Sequence, residues 1–277
     1  MRITRVYVVG CPADLRFTRC CIASIRHWYP EIPITLIKDG EYNTTNLERF
    51  WGVDVLRTTV CRFGRGWGRL EPLFLPIRER CMILDSDTAF AGPVLGKLGE
   101  YEEDFIVEDG NYPAEDIKPY YYDPELVCTI NPSFRYPGFV FNVGQMVATT
   151  GVFKRDEFSS LVAFEEPRRC LRPELFECFE QGVLNFMLQH KAQDGVLSLR
   201  RHPFMRWPGA LQNADVDVER LANGGGYDFL LHWAGFKQTI MQSNSMGHVL
   251  DYFERLYFER TIPLMNRDYA LAHEMPC

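Results

Sequence analysis

Ile3 to Val9 is a run rich in Val, Ile and Tyr that stops at Gly10-Cys11-Pro12, the pattern of a buried strand ending in a tight loop. Leu15, Thr18, Ile22, Ile25 and Tyr29 then recur at helical spacing as far as Pro30, and Ile34 to Ile37 is a second apolar run closed by Asp39-Gly40. The three segments predict a β-α-β unit. A helix near Thr45 to Trp51, a strand near Val53 to Leu56, and the stretch Leu70 to Ile77 leading into Cys81-Met82-Ile83-Leu84 continue the alternation. Strands that are apolar at successive positions, not at every second one, belong to a parallel sheet covered by helices on both faces. The fold class this predicts is α/β, with residues 1–100 forming a nucleotide-binding half.

The alternation lapses from Asn111 to Gly138, where Pro113, Pro119, Pro124, Pro132 and Pro137 are interleaved with Tyr112, Tyr120, Tyr121, Tyr122, Phe134 and Tyr136. A linker would not carry so many aromatics, so the segment is expected to be a long structured loop or a short-strand insert. Beyond it, the pattern predicts a strand over Phe139 to Ala148, a helix over Pro173 to Gln189 with proline in its first turn, and a short strand over Leu230 to Trp233. Leu250, Phe253, Leu256 and Tyr257 mark a final amphipathic helix. No internal repeat is evident.

At 277 residues the chain is too short for two full-sized domains and long enough for one generous core. Its 46% hydrophobic and 24% charged residues exclude a disordered or collagen-like chain. The net charge of -7 has the wrong sign for a protein whose main partner is nucleic acid, so an anionic ligand must meet a local basic patch. Arg57, Arg62, Arg65, Arg69, Arg78 and Arg80 are the candidates. The cysteines number 9 and contain no C-x-x-C pair, which predicts neither a disulfide framework nor a zinc cluster, and points to the cytoplasm. No stretch approaches the ~18 apolar residues of a transmembrane segment, so the chain is expected to be soluble or at most peripheral at a membrane.

Chemistry concentrates at Leu84-Asp85-Ser86-Asp87-Thr88. Side chains alternate along a strand, so Asp85 and Asp87 lie on the same side and can grip one cation. Hard oxygen ligands suit Mg2+ or Mn2+, and the carboxyl end of a parallel strand is where α/β sheets place their ligands. The plain alternative is a pair of acids that cap the next element or face water. Haloacid-dehalogenase-type phosphatases also begin with D-x-D after an apolar strand, but on their first strand, and with Thr or Val where this chain has Ala89.

Three later segments, Phe141-Asn142-Val143-Gly144 inside a strand, Glu180-Gln181-Gly182-Val183-Leu184-Asn185 on a helix, and Leu231-His232-Trp233-Ala234-Gly235-Phe236-Lys237 after a late strand, follow Asp85-x-Asp87 in order. Together they resemble the retaining glycosyltransferases of family 8, the group of glycogenin and the bacterial lipopolysaccharide galactosyl- and glucosyltransferases. The resemblance spans Arg2 to Gln238. It implies a single GT-A domain over 1–277, with 101–245 as the acceptor and catalytic half and 246–277 as a C-terminal helix and tail. The metal, Mn2+ or Mg2+, would be held by Asp85, Asp87 and His232. Gln181 and Glu180 would lie beneath the anomeric carbon of the donor. Arg69, Asp109 and Asn142 would contact the donor, Gly235 would let the backbone approach the diphosphate, and Lys237 would neutralise the departing phosphate. The implied reaction moves a hexose from UDP-glucose or UDP-galactose to a hydroxyl acceptor, a saccharide or glycoconjugate, with retention. A nucleotide-sugar-binding protein without turnover is the alternative within the same fold. The chain departs from the family pattern at Gly10-Cys11-Pro12, where acidic or amide residues usually touch the nucleotide. It departs again at Glu180, where the family has Asp, and at Lys237, which comes one residue early.

Overall fold

A computed structural model describes residues 2–64, 66–177, 179–209, 216–235, 237–238 and 240–273. Arg65, Cys178 and Cys277 therefore lie outside the described residues. In chain order the strands are β1 (Arg5–Gly10), β2 (Ile34–Lys38), β3 (Val53–Val55), β4 (Arg80–Asp85), β5 (Thr88–Phe90), β6 (Phe105–Val107), β7 (Gln145–Thr149), β8 (Val162–Ala163), β9 (Arg169–Cys170), β10 (Leu199–Arg201), β11 (Met205–Arg206) and β12 (Leu230–His232). The α-helices are α1 (Leu15–Trp28), α2 (Thr45–Trp51), α3 (Val94–Leu98), α4 (Ala114–Tyr120), α5 (Pro124–Ile130), α6 (Phe179–Gln193), α7 (Val218–Ala222) and α8 (Gly247–His273). No described helix is long and apolar enough to cross a membrane.

The central sheet has the order β10-β6-β7-β4-β1-β2-β3 and is parallel except for β7, which runs against both β4 and β6. As the unbroken apolar runs predict, it is covered on both faces. Val6, Val8, Met82 and Leu84 pack toward α1 and α8, while Tyr7, Val9, Cys81 and Ile83 pack toward α6 and the 3-10 helix Trp67–Phe74. Each fully buried aliphatic side chain contributes about 1.5–3 kcal/mol of hydrophobic free energy, so the strand centres anchor the fold.

The chain leaves this sheet at the end of β4. The Asp85 amide still bonds to the Gly144 carbonyl and the Ser86 amide to the Val9 carbonyl, after which β5 joins a second sheet of order β11-β12-β5. In that sheet Thr88 is paired antiparallel with His232. The turn between Asp85 and Thr88 is thus the corner at which two sheets meet.

Local departures from expectation have identifiable causes. Residues 139–144 lie outside β7, because side chains replace the ladder there: Asn185 accepts from the Phe141 amide and donates to its carbonyl, and Glu108 accepts from the Asn142 amide. Residues 173–175 form a turn and not a first helical turn, with Leu175 and Phe176 buried, and α6 starts later at Phe179. The aromatic insert holds two short helices, the second with Pro124 in its first turn and capped by Asp123, whose side chain accepts from the Leu126 amide. Tyr121 and Tyr122 are buried, and the Tyr122 hydroxyl donates to Gln189.

Gly182, in the first turn of α6, is where that insert docks. A Cβ at this position would stand 2.0 Å from the Tyr121 carbonyl oxygen, a backbone atom that cannot swing away. Gly182→Ala is expected to lower stability by about 1–3 kcal/mol or more, the range for overpacking a tight contact. Urea unfolding checks this, and an unchanged midpoint would contradict it.

Candidate active site

Asp85 ends β4, Asp87 follows in the corner turn, and His232 ends β12, so two strands from two sheets deliver three polar side chains to one point. Their ligand atoms all lie within 4.8 Å of one another. His232 Nε2 is 3.2 Å from Asp87 Oδ1 and 3.8 Å from Asp85 Oδ2. His232 is 1% exposed, and among the described residues the two carboxylates facing Nε2 are its only close polar neighbours, with neither ring nitrogen in a well-aligned hydrogen bond. A buried imidazole facing two carboxylates offers the kind of donor set that can hold a divalent cation, and these residues fit one. The ring is held by Trp207, which stacks on it at a centroid distance of 5.2 Å and 25° between planes. Gly144 has no room for a side chain, since a Cβ there would meet His232 Cε1 at 2.5 Å and Asp85 Oδ2 at 2.8 Å.

Two cations face the acids. Lys237 Nζ sits 2.9 Å from Asp87 Oδ2 and 2.6 Å from Asp14 Oδ2. Arg69 approaches Asp85 Oδ1 at 2.5 Å and Glu180 Oε1 at 3.4 Å, with its side chain only 7% exposed. Burial alone would push the Asp87 carboxyl toward its neutral form, but His232 and Lys237 outweigh it and hold the group well below the usual carboxylate range. Burial likewise disfavours the charge on Lys237 and on Arg69. Asp87 and Asp14 overcome it for the lysine, and Asp85 and Glu180 for the arginine, so both stay cationic beyond their ordinary range.

Arg69, Asp85, Asp87 and Lys237 line a cavity of about 220 Å³ with Val9, Gly10, Cys11, Asp14, Asp39, Gly66 and Ser86, at the carboxyl ends of β1 and β4. A larger hollow of about 710 Å³ beside Trp28, Tyr29 and Leu95 contains none of the clustered acids or cations. Asp39 shapes the wall of the small cavity by accepting from the Phe63 and Gly64 amides.

On the other side of Asp85 lies an amide cluster. Asn142 Nδ2 donates to Gln181 Oε1 at 3.1 Å, its Oδ1 accepts from the Gly144 amide, and Gln181 Nε2 donates to the Tyr120 carbonyl at 2.8 Å. The Asn142 side chain is thus engaged in holding Gln181 and the bend at Gly144. Asp109 turns its carbonyl to Arg201, and the buried acid at this point is its neighbour Glu108, which is 3% exposed. Burial raises the Glu108 pKa even though the Asn142 amide, the Tyr112 hydroxyl and the Gly110 amide all donate to it. Gly235 takes a φ of +73°, a backbone conformation favouring glycine, two residues before Lys237.

The structure therefore gathers Asp85, Asp87, His232, Arg69, Glu180 and Lys237 into one charge cluster, with Gln181 and Asn142 beside it. The arginines of 57–80 do not make one surface patch: Arg69 and Arg80 are buried, Arg78 pairs with Asp104, and Arg57 and Arg62 are exposed. Sequence reasoning missed Asp14, Trp207 and Glu108. Asp14 was open to inference from its place just beyond β1, where such sheets collect ligand-facing groups, whereas nothing local marks Trp207.

No family model matches the sequence, and no curated protein matches it. Solved structures do. WbbM, a bifunctional glycosyltransferase in its apo form, matches with a TM-score of 0.60 and 10% identity over 94% of this chain and 52% of its own. The apo-form glycosyltransferase GlyE of Streptococcus pneumoniae TIGR4 matches with a TM-score of 0.55 and 13% identity over 100% of this chain and 65% of its own. The galactosyltransferase LgtC, solved with donor and acceptor sugar analogues, matches with a TM-score of 0.51 and 10% identity over 93% of this chain and 96% of its own. This chain spans about half the length of WbbM and under two thirds of GlyE. The mixed α/β architecture with its mostly parallel central sheet is the GT-A fold of these glycosyltransferases.

Proposed function

We propose that this chain is a metal-dependent glycosyltransferase that moves a hexose from a nucleoside diphosphate donor, UDP-glucose or UDP-galactose, to a hydroxyl of a saccharide or glycoconjugate with retention. The observation that carries this reading is the cluster of half-buried Asp85 with buried Asp87 and His232 beside Arg69 and Lys237, within a fold shared with glycosyltransferases.

Asp85, Asp87 and His232 would hold Mn2+ or Mg2+, which when bound supplies Lewis-acid stabilisation of a leaving diphosphate. Lys237 lies against Asp87 and is placed to donate hydrogen bonds to the same anionic group. Its charge is secured by Asp14 and Asp87. Arg69 fixes the orientation of Asp85 and Glu180 from behind, and Gly235 gives the loop before Lys237 its turn. Gln181 presents an amide whose oxygen dipole would stabilise positive charge developing at the anomeric carbon, and the Glu180 carboxylate adds to the same field. Of the three consecutive tyrosines in the insert, only Tyr120 leaves its ring open, at 55% exposure, and we assign that face to a sugar acceptor.

Manganese with UDP is expected to raise the unfolding temperature of the chain, and Asp87→Asn, which removes a charged ligand without changing shape, to lose most of that gain. A site saturated about 100-fold above its dissociation constant adds about 2.7 kcal/mol. Equal protection of both proteins in a thermal shift assay would overturn the metal assignment. Gln181→Ala should lower kcat for manganese-dependent cleavage of UDP-hexose by about 10- to 100-fold while leaving donor affinity within about twofold, because its contact strengthens only as charge develops. Single-turnover kinetics and donor titration check this, and weakened binding with undiminished turnover at saturation would make Gln181 a binding residue. Wild-type chain that binds UDP and cleaves no nucleotide sugar would instead favour the non-catalytic reading.

A further inference from the structure

Three donors converge on the buried Glu108. Its Oε1 accepts from the Asn142 amide at 2.8 Å and from the Tyr112 hydroxyl at 2.7 Å, and its Oε2 accepts from the Gly110 amide. The arrangement leaves no slack, since a Cβ on Gly110 would stand 2.5 Å from Glu108 Oε2. The segment pinned this way is not part of a strand. Residues 142–144 are not strand, although the Gly144 carbonyl still accepts from the Asp85 amide, and the Asn142 amide has its partner in Glu108.

What this bend holds explains why a buried carboxylate sits behind it. On one side Asn142 Nδ2 meets Gln181 Oε1, and the Val143 amide approaches the same oxygen at 3.5 Å. On the other, Gly144 packs against Asp85 Oδ2 and His232 Cε1 with no space for a methyl group. A single acid, held by three protein donors, thus sets the position of the segment that touches both Gln181 and the Asp85–His232 pair. Burying a carboxylate is costly unless it is fully hydrogen-bonded, so a position spent in this way signals a need for precise placement.

We infer that Glu108 is a positioning residue: it fixes the 142–144 bend through the Asn142 amide and so aims the Gln181 side chain into the site. The kinetic part of this inference rests on the assignment of Gln181 proposed above, and a readout independent of turnover accompanies it. Glu108→Gln keeps the size of the side chain and replaces one acceptor oxygen by an NH2 that cannot accept. Tyr112→Phe removes a single donor to the carboxylate without emptying the core.

In the full-length chain, Glu108→Gln is expected to lower kcat for donor cleavage by about 10- to 100-fold, the scale of a small misplacement at a reacting centre. The donor KM and the manganese affinity should stay within about threefold, and the unfolding temperature near that of the wild type. Tyr112→Phe should give a smaller loss of the same kind and carries the test if Glu108→Gln fails to fold. Selective 15N-glutamine labelling reads Gln181 directly: its side-chain amide protons should exchange faster with solvent in both variants, while those of Gln242 do not change. Unaltered kcat and unaltered Gln181 exchange in folded variants would overturn the inference, as would a rise in donor KM that accounts for the whole loss. A wild-type chain with no turnover would defeat the proposed activity, and the exchange measurement would still decide the role of Glu108.

Discussion

Asp87 is 5% exposed, and a carboxylate taken out of water costs several kcal/mol unless charges and hydrogen bonds compensate it. Compensation comes from His232 on β12 and from Lys237 on the loop that follows, both distant in sequence. Asp85 is likewise met by Arg69, from the 3-10 helix that precedes β4. The corner between the two sheets is therefore stable only when several segments have already come together. Each of those segments in turn is placed by the packing of the central sheet, where β4 is bracketed by β1 and β7.

This dependence explains features that look unrelated along the chain. Gly144 lacks a side chain because Asp85 and His232 fill the space, and Gly182 because the carbonyl of Tyr121 does. The insert between β6 and β7 then seats Gln181 through the Tyr120 carbonyl, so the amide cluster and the charge cluster are braced from opposite sides. Trp207, packed flat on His232, closes the arrangement from the smaller sheet.

Much of the fold was legible because its signals are local. The apolar runs at Val6 to Val9 and Cys81 to Leu84, and the helical spacing from Leu15 to Ile25, gave the β-α-β order and the covered sheet, and the Thr45–Trp51 helix has the expected bounds. The Asp85, Asp87 and His232 cluster was legible through motif order. The stretch 139–144 was read as strand because it continues an apolar run, but an apolar run does not reveal that Glu108 and Asn185 have taken the backbone partners of the ladder. The direction of β7 is also hidden, since an apolar strand buried on both faces reads the same either way. Asp109 drew attention over Glu108 for a similar reason: two adjacent acids at a strand end are indistinguishable until the backbone shows which one turns inward.

The most direct test of the central claim is anomalous diffraction at the manganese edge from crystals soaked with Mn2+ and UDP. The account predicts one peak between Asp85, Asp87 and His232, within coordination distance of all three, with the diphosphate beside Lys237. A manganese peak elsewhere with these side chains unmoved, or UDP bound away from the corner of the two sheets, would contradict it.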